Sequence, residues 1–191
     1  MKNSFFAMLS RMKYINRWGL MHNSRYETLS EHSLDVAIIA HALAVIGNCR
    51  FGKSYNEERA ALCGIFHDAS EILTGDMPTP VKYQNSEIKR VYKQIESDAR
   101  DSLVSKLPDD MAETYRAALS GDDDVKKLVK AADKISALIK CIEEKRMGNA
   151  EFESAYKATL GHIKRLECEE ADVFLSEFVP PFELDLDKLN G

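Results

Sequence analysis

Apolar residues recur at helical spacing through almost every segment of the chain, and no segment requires a strand. Phe5, Phe6, Leu9 and Met12 form an amphipathic start. An irregular stretch, Asn16 to Tyr26, follows and holds the only tryptophan, Trp18. Thr28-Leu-Ser-Glu31 has the form of a capping box, in which the threonine hydroxyl and the glutamate carboxylate satisfy orphan backbone donors. From it a helix is expected to run to Gly47, with Leu34, Ile38 and Val45 on its buried face. A further helix is expected from Asn56, with Glu57 and Glu58 in the first turn, to near Gly75. Gly75-Asp-Met-Pro-Thr-Pro80 must then leave it as a rigid loop, because Pro78 and Pro80 lack amide hydrogens and push their predecessors into extended conformations. Ile88, Val91, Ile95, Ala99 and Leu103 predict another helix, and a shorter one follows Asp109. A long helix is expected over about 123–147 with Leu128, Ala132, Ile135, Ile139 and Ile142 inward, and a last one over about 149–178. The pattern predicts an all-α bundle of six or seven helices.

Composition narrows this picture. The chain has 191 residues and a mass of 21.6 kDa, which suits one domain over 1–191 with a helical core about 28–178. Its 9 Gly and 5 Pro fall well below the average share of roughly 12% for the pair, as expected of a helical domain. With 26 basic against 31 acidic side chains the net charge is −5, so no basic excess exists to follow a nucleic-acid polymer. Cys49, Cys63, Cys141 and Cys168 show no close pairing and read as reduced thiols. The longest uncharged run, Val36 to Cys49, is shorter than the roughly 20 apolar residues that span a bilayer, so no membrane span is expected. The N-terminus lacks a secretory h-region, which leaves the cytoplasm as the expected compartment.

The sharpest chemical feature is Phe66-His-Asp-Ala-Ser-Glu71, a His-Asp doublet within an apolar stretch. An aspartate there is expensive to bury unpaired, which suggests a cation as its partner. Adjacent helical positions diverge by about 100°, so His67 and Asp68 could grip one ion from two sides only, and other helices must complete its shell. His32, in the first turn after the capping box, and Asp133, in Lys130-Ala-Ala-Asp-Lys134, are the candidates. Two imidazoles and two carboxylates suit a divalent transition ion. Glu71 stands three residues after Asp68 and four after His67, on their face of the expected helix, where it could assist a metal-activated water. A lone histidine in an amphipathic helix is ordinarily a satisfied core or surface residue, and His22, His41 and His162 are read that way. A lone Asp133 would be an ordinary solvated aspartate. The combination across three helices is what carries the signal.

That combination resembles the HD-domain phosphohydrolases, which hold a metal with a His…His-Asp…Asp set in a helical bundle. Ile15-Asn-Arg-Trp18, Ser30-Glu-His-Ser33, His67 to Glu71, Gly75 to Lys82 and Ala132-Asp133 resemble the 5′-deoxynucleotidase (YfbR-like) family, and the likeness runs from the Phe5-Phe6 helix to Pro180. It implies that His32, His67, Asp68 and Asp133 hold one divalent metal, of the Co, Mn, Ni, Fe or Zn class, with cobalt best in vitro. Glu71 would assist the attacking water, and Arg17 would orient the 5′-phosphate. Trp18 and the loop Asp76, Met77, Pro78 and Thr79 would contact the deoxynucleoside, and His32 and Asp133 would also lie against the substrate. It further implies a cytoplasmic homodimer that dephosphorylates deoxyribonucleoside 5′-monophosphates.

The residues agree with this. A phosphate monoester needs local charge neutralisation and an activated water, which one ion and one arginine can supply despite the net charge. Asp76 is a poor phosphate contact but a good acceptor for a sugar hydroxyl. Taken singly, Arg17 reads as a surface salt bridge, Trp18 as a core or interface anchor and Asp76 as a loop acceptor. Two rival functions remain at this level: another HD phosphohydrolase activity, on a nucleoside triphosphate or guanosine polyphosphate, and a non-catalytic nucleotide-binding module.

Overall fold

Three helices meet at the centre of the molecule, and each brings one part of the His/Asp set. The computed structural model describes residues 2–82 and 85–190, the side chains of Thr79 and Pro80 excepted. In chain order the helices are α1 (Phe5–Leu9), α2 (Leu29–Phe51), α3 (Glu57–Phe66), α4 (Glu71–Thr74), α5 (Thr79–Lys82) and α6 (Ser86–Val104). They continue with α7 (Asp109–Ser120), α8 (Lys126–Arg146), α9 (Phe152–Arg165), α10 (Glu169–Glu177) and α11 (Leu186–Leu189). Tight 3-10 turns cover Ser10–Tyr14 and Pro180–Glu183. Seven of these helices, α2, α3 and α6 to α10, have nine residues or more. No strand occurs among the described residues, only an antiparallel bridge between Asn16 and Thr28. The all-α bundle expected from the pattern is the fold observed.

Helix α2 lies against α3, α8 and α10. Val36, Leu43, Leu128, Ile135, Leu138 and Ile163 anchor the larger core, and Phe5, Phe66, Leu103 and Leu119 anchor a smaller one beside α1, α6 and α7. The capping box at the start of α2 is present in both directions, with Thr28 accepting from the Glu31 amide and Glu31 accepting from the Thr28 amide. The expected inward face of α8 is buried throughout.

Four expectations need correction. Leu34 and Ile38 are each 59% exposed; the inward face of α2 is instead His32, Val36, Ile39, Ala40 and Leu43, and the helix runs on to Phe51 before Gly52 closes it in the left-handed region at φ 63°. Val91 and Ile95 also face outward, because α6 packs through Tyr92, Ala99 and Leu103. The helix from Asn56 stops at Phe66, and residues 67–70 form a turn tightened to three-residue hydrogen bonds, Ala69 to Phe66, Glu71 to Asp68 and Ile72 to Ala69. The last helix likewise divides into α9 and α10, separated at Glu167, which takes φ 50°. In addition, the proline loop is shorter than expected. Thr79 and Pro80 open the helical turn α5, where a proline's missing amide hydrogen costs nothing.

Helix α2 is long and apolar enough, by length and composition, to cross a membrane, contrary to the expectation drawn from the shorter uncharged run. Its fully buried His32 and its packing against α3 and α8 are those of a core helix.

Candidate active site

The close approach that assembles the site is made by Gly64 of α3. A Cβ at this position would stand 2.7 Å from Ala37 Cα and 2.9 Å from Ala37 N of α2. At this distance the His32 and His67 rings come together, tilted by 59° with centroids 5.2 Å apart. One ligand atom each from His32, His67 and Asp68 lies within 4.8 Å of the others. Asp133 of α8 joins from the far side, its Oδ1 3.3 Å from His32 Nε2, while its other oxygen pairs with Lys134 at 3.0 Å.

Hydrogen bonds aim the two rings. His67 Nδ1 donates to the Gly64 carbonyl at 2.7 Å, and His32 Nδ1 lies 3.0 Å from Ser136 Oγ. Both Nε2 atoms are buried without a hydrogen-bond partner. Because a carbonyl only accepts, the proton of a neutral His67 sits on Nδ1 and its Nε2 offers a lone pair. This lone pair lies 3.0 Å from Asp68 Oδ2. Two acceptors that close, in a buried place, require a proton or a cation between them.

The electrostatics leave the cup negatively charged. Burial and then the nearby Arg17 push His32 down to about 4, so it is neutral. Burial opposes ionisation of Asp68, but His67 outweighs it and holds the carboxyl below the ordinary carboxylate range. Asp133 is held down likewise, by Lys134 and His32 against burial. His67 is raised, since Asp68 outweighs the cost of its burial. The result is a cup with two ionised carboxylates and imidazole nitrogens aimed inward, a donor set that fits a divalent metal.

Glu71 opens α4 and is only 5% exposed. Burial, then Asp68 and Asp76, push its carboxyl up to about 9. The turn at 67–70 means that it reaches this place by tight-turn geometry and not along a continuous helix face. Arg17 Nε and Nη1 are buried without hydrogen-bond partners, and the charge of the guanidinium interacts first with Glu27, whose Oε2 lies 3.4 Å from Nε, and then with Asp133, Asp68 and Asp76. Its neighbour Trp18 takes φ 60°, a strained conformation for a bulky residue. Burial raises the Asp76 carboxyl, and the charge of Arg17 acts against that rise, which couples the Arg17 loop to the loop after α4. Met77 and Pro78 are half-buried in that second loop. The Thr79 side chain lies outside the described residues.

The profile of the 5′-deoxynucleotidase YfbR-like family matches residues 4–182. The chain belongs to this family. Over its full length it is similar to the 5′-deoxynucleotidase YfbR of Escherichia coli O127:H6, with 48% identity over 194 residues covering 100% of this chain and 98% of that one. Among solved structures, the fold is similar to an HD-domain phosphohydrolase from Listeria innocua, with a TM-score of 0.81, 24% identity, and coverage of 98% of this chain and 92% of that one. It is also similar to the cyanophage S-2L HD phosphohydrolase bound to dA and one catalytic Zn2+ ion, with a TM-score of 0.69, 18% identity, and coverage of 94% and 99%.

The pattern read from the family motifs left out several groups that build the site. Ser136, Glu27, Lys140 and Glu144 are all buried. Glu27 accepts from Trp18 Nε1 at 3.1 Å. Glu144 accepts from the Ser24 amide at 2.9 Å, the Arg25 amide at 3.3 Å and Asn149 Nδ2 at 2.8 Å, and it pairs with Lys140. Polar residues at four-residue spacing on an otherwise buried helix were the available signal for the last two.

Proposed function

We propose that the chain is a metal-dependent 5′-deoxynucleotidase, hydrolysing deoxyribonucleoside 5′-monophosphates to deoxynucleoside and phosphate. The observation that carries this reading is the pairing of a negatively charged His/Asp cup with an arginine whose buried Nη1 has no hydrogen-bond partner, in a member of the YfbR-like family. His32, His67, Asp68 and Asp133 hold the cation. When bound, it supplies Lewis-acid polarisation of the phosphate and a water of lowered pKa. Arg17 takes the non-bridging phosphate oxygens through its Nη1 donor, with His32 and Asp133 lining the same space. Water attacks phosphorus in line and gives its proton to Glu71, the bond from phosphorus to the 5′-oxygen breaks, and Glu71 returns the proton to the departing 5′-oxygen. Burial, and then repulsion from Asp68 and Asp76, raise Glu71, and a cation in the cup would relieve the second of these and favour its role as base.

Trp18, Asp76, Met77, Pro78 and Thr79 contact the deoxynucleoside. A single phosphate suits the cations present: Lys82 already pairs with Glu96 at 2.6 Å and Lys134 with Asp133 at 3.0 Å. We further propose that cobalt supports the highest activity in vitro, among the Co, Mn, Ni, Fe and Zn class, and that the chain acts as one domain, as a homodimer, in the cytoplasm. The test is phosphate release from dAMP, AMP and dATP, after chelation and after restoring individual metals. Release from dAMP must exceed that from AMP and dATP. In addition, Glu71→Ala must abolish turnover with metal still bound; near wild-type release by that variant would refute the role given to Glu71.

A further inference from the structure

The loop between α1 and α2 is pinned at its base, where the Arg17 amide donates to the Glu27 carbonyl at 2.9 Å and the Leu29 amide to the Ile15 carbonyl at 2.8 Å. Inside this closure sits the Glu27 side chain, 5% exposed. One of its oxygens, Oε2, faces two groups at once: Arg17 Nε at 3.4 Å and Trp18 Nε1 at 3.1 Å. The indole is held on its other side by the Phe152 ring, with centroids 5.3 Å apart. Trp18 also carries a left-handed backbone, which persists only where surrounding groups over-determine it.

We propose that Glu27 is a positioning residue for substrate recognition, holding the Arg17 guanidinium and the Trp18 indole in one fixed arrangement through a single buried carboxylate. This rests on the reading that Arg17 takes the phosphate and Trp18 the nucleoside. The two groups are adjacent in sequence, so their side chains leave the backbone in different directions. A common acceptor makes their relative placement independent of loop motion. The Arg17 Nη1 donor, which Glu27 does not engage, is thereby left for an oxyanion. Burial raises the Glu27 carboxyl above its ordinary value, and Arg17 and then Trp18 offset part of that rise.

Trp18 is the only tryptophan in the chain, so its fluorescence reports on this contact directly. The experiment measures emission, metal content and kcat/KM for dAMP and AMP in the wild type, Glu27→Gln and Glu27→Leu. Glu27→Leu removes the acceptor: the emission maximum shifts, kcat/KM for dAMP falls about tenfold or more, and the dAMP to AMP ratio narrows, with metal content unchanged. Glu27→Gln keeps an acceptor for the indole but loses the charge, so emission stays as in the wild type and kcat/KM falls about threefold. A folded Glu27→Leu with unshifted emission overturns the proposal, as does an equal loss for dAMP and AMP. If Glu27→Leu does not fold, Glu27→Gln decides, and a kcat/KM within twofold of the wild type overturns it. A wild-type chain that releases no phosphate from dAMP would defeat the hydrolase reading separately, and the emission shift would then decide the positioning claim by itself.

Discussion

Glu144 lies near the C-terminal end of α8, where the helix dipole disfavours a negative charge, and it is 1% exposed. Its carboxylate is nevertheless held down to about 2: burial opposes the charge, and Lys140, Asn149 and Ser24 together outweigh it. Set against an ordinary glutamate value of 4.5, a difference of about 2.5 units corresponds to about 3 kcal/mol of stability at neutral pH. Because the folded-state value is the lower one, this stabilisation is complete above about pH 4.5, falls to about half by pH 3 and is lost below about pH 2. Glu144→Gln removes the charge and leaves the Lys140 ammonium, itself 3% exposed, without a counter-charge, facing a neutral amide oxygen and the Arg25 carbonyl at 2.5 Å. Breaking a buried pair from one side costs about 3 kcal/mol or more. For a chain of this size the expected fall in Tm at pH 7 is about 6–12 °C.

The assay is a thermal melt followed by circular dichroism at pH 7 and again at pH 3. The gap between wild type and Glu144→Gln must narrow at the lower pH. A variant that melts within about 2 °C of the wild type at pH 7, or a gap equal at both values, refutes the reasoning. The paired replacement of Lys140 by Met and Glu144 by Leu must recover only part of the loss. It removes the stranded ammonium but leaves the Ser24 and Arg25 amides without their acceptor.

Gly64→Ala forces a methyl against the Ala37 backbone at 2.7 Å, so it must destabilise by about 2–3 kcal/mol and lower metal content by parting His67 from His32, measured by melting and by metal analysis. Chelation must abolish phosphate release and lower Tm, with both restored on adding back one divalent metal per chain; a Tm unmoved by chelation would contradict the charge balance of the His/Asp cup. Arg17→Lys keeps the charge but loses the planar fork, so KM for dAMP must rise about tenfold in steady-state assays with melting nearly unchanged.

The parts of this molecule legible in its sequence are those where one residue type has one physical reason. The capping box at Thr28 and Glu31, the inward stripe of α8 and the His…His-Asp…Asp set each belong to that kind. The face of α2 is not legible from hydrophobicity because the helix is apolar nearly all round, so Leu34 and Ile38 are as hydrophobic as the positions that are buried. The polar residue decides the matter: His32 marks the inward side, and counting from it gives Val36, Ile39 and Leu43. The break after Phe66 was hidden for a different reason. Ala69, Ile72 and Leu73 continue a helical pattern, while the tight turn through His67 and Asp68 is dictated by long-range packing that periodicity does not record. Glu27 could not be singled out because a lone glutamate before a helix cap reads as solvated until the loop closes over it.

Helix α8 shows how these pieces depend on one another. Asp133, Ser136, Lys140 and Glu144 are separated by three, four and four residues, which places them on one face of the helix. Asp133 faces the His/Asp cup, Ser136 lies against His32, Lys140 donates to the Arg25 carbonyl and Glu144 accepts from the Ser24 and Arg25 amides. One polar stripe thus fixes both the cup and the loop that brings Arg17 and Trp18 to it. A rotation of α8 could not improve one contact without losing the other. The cost of burying an ammonium and a carboxylate in a helix that would be more stable with apolar residues there is consistent with that shared role: the pair sets where the loop of Arg17 and Trp18 sits relative to the His/Asp cup.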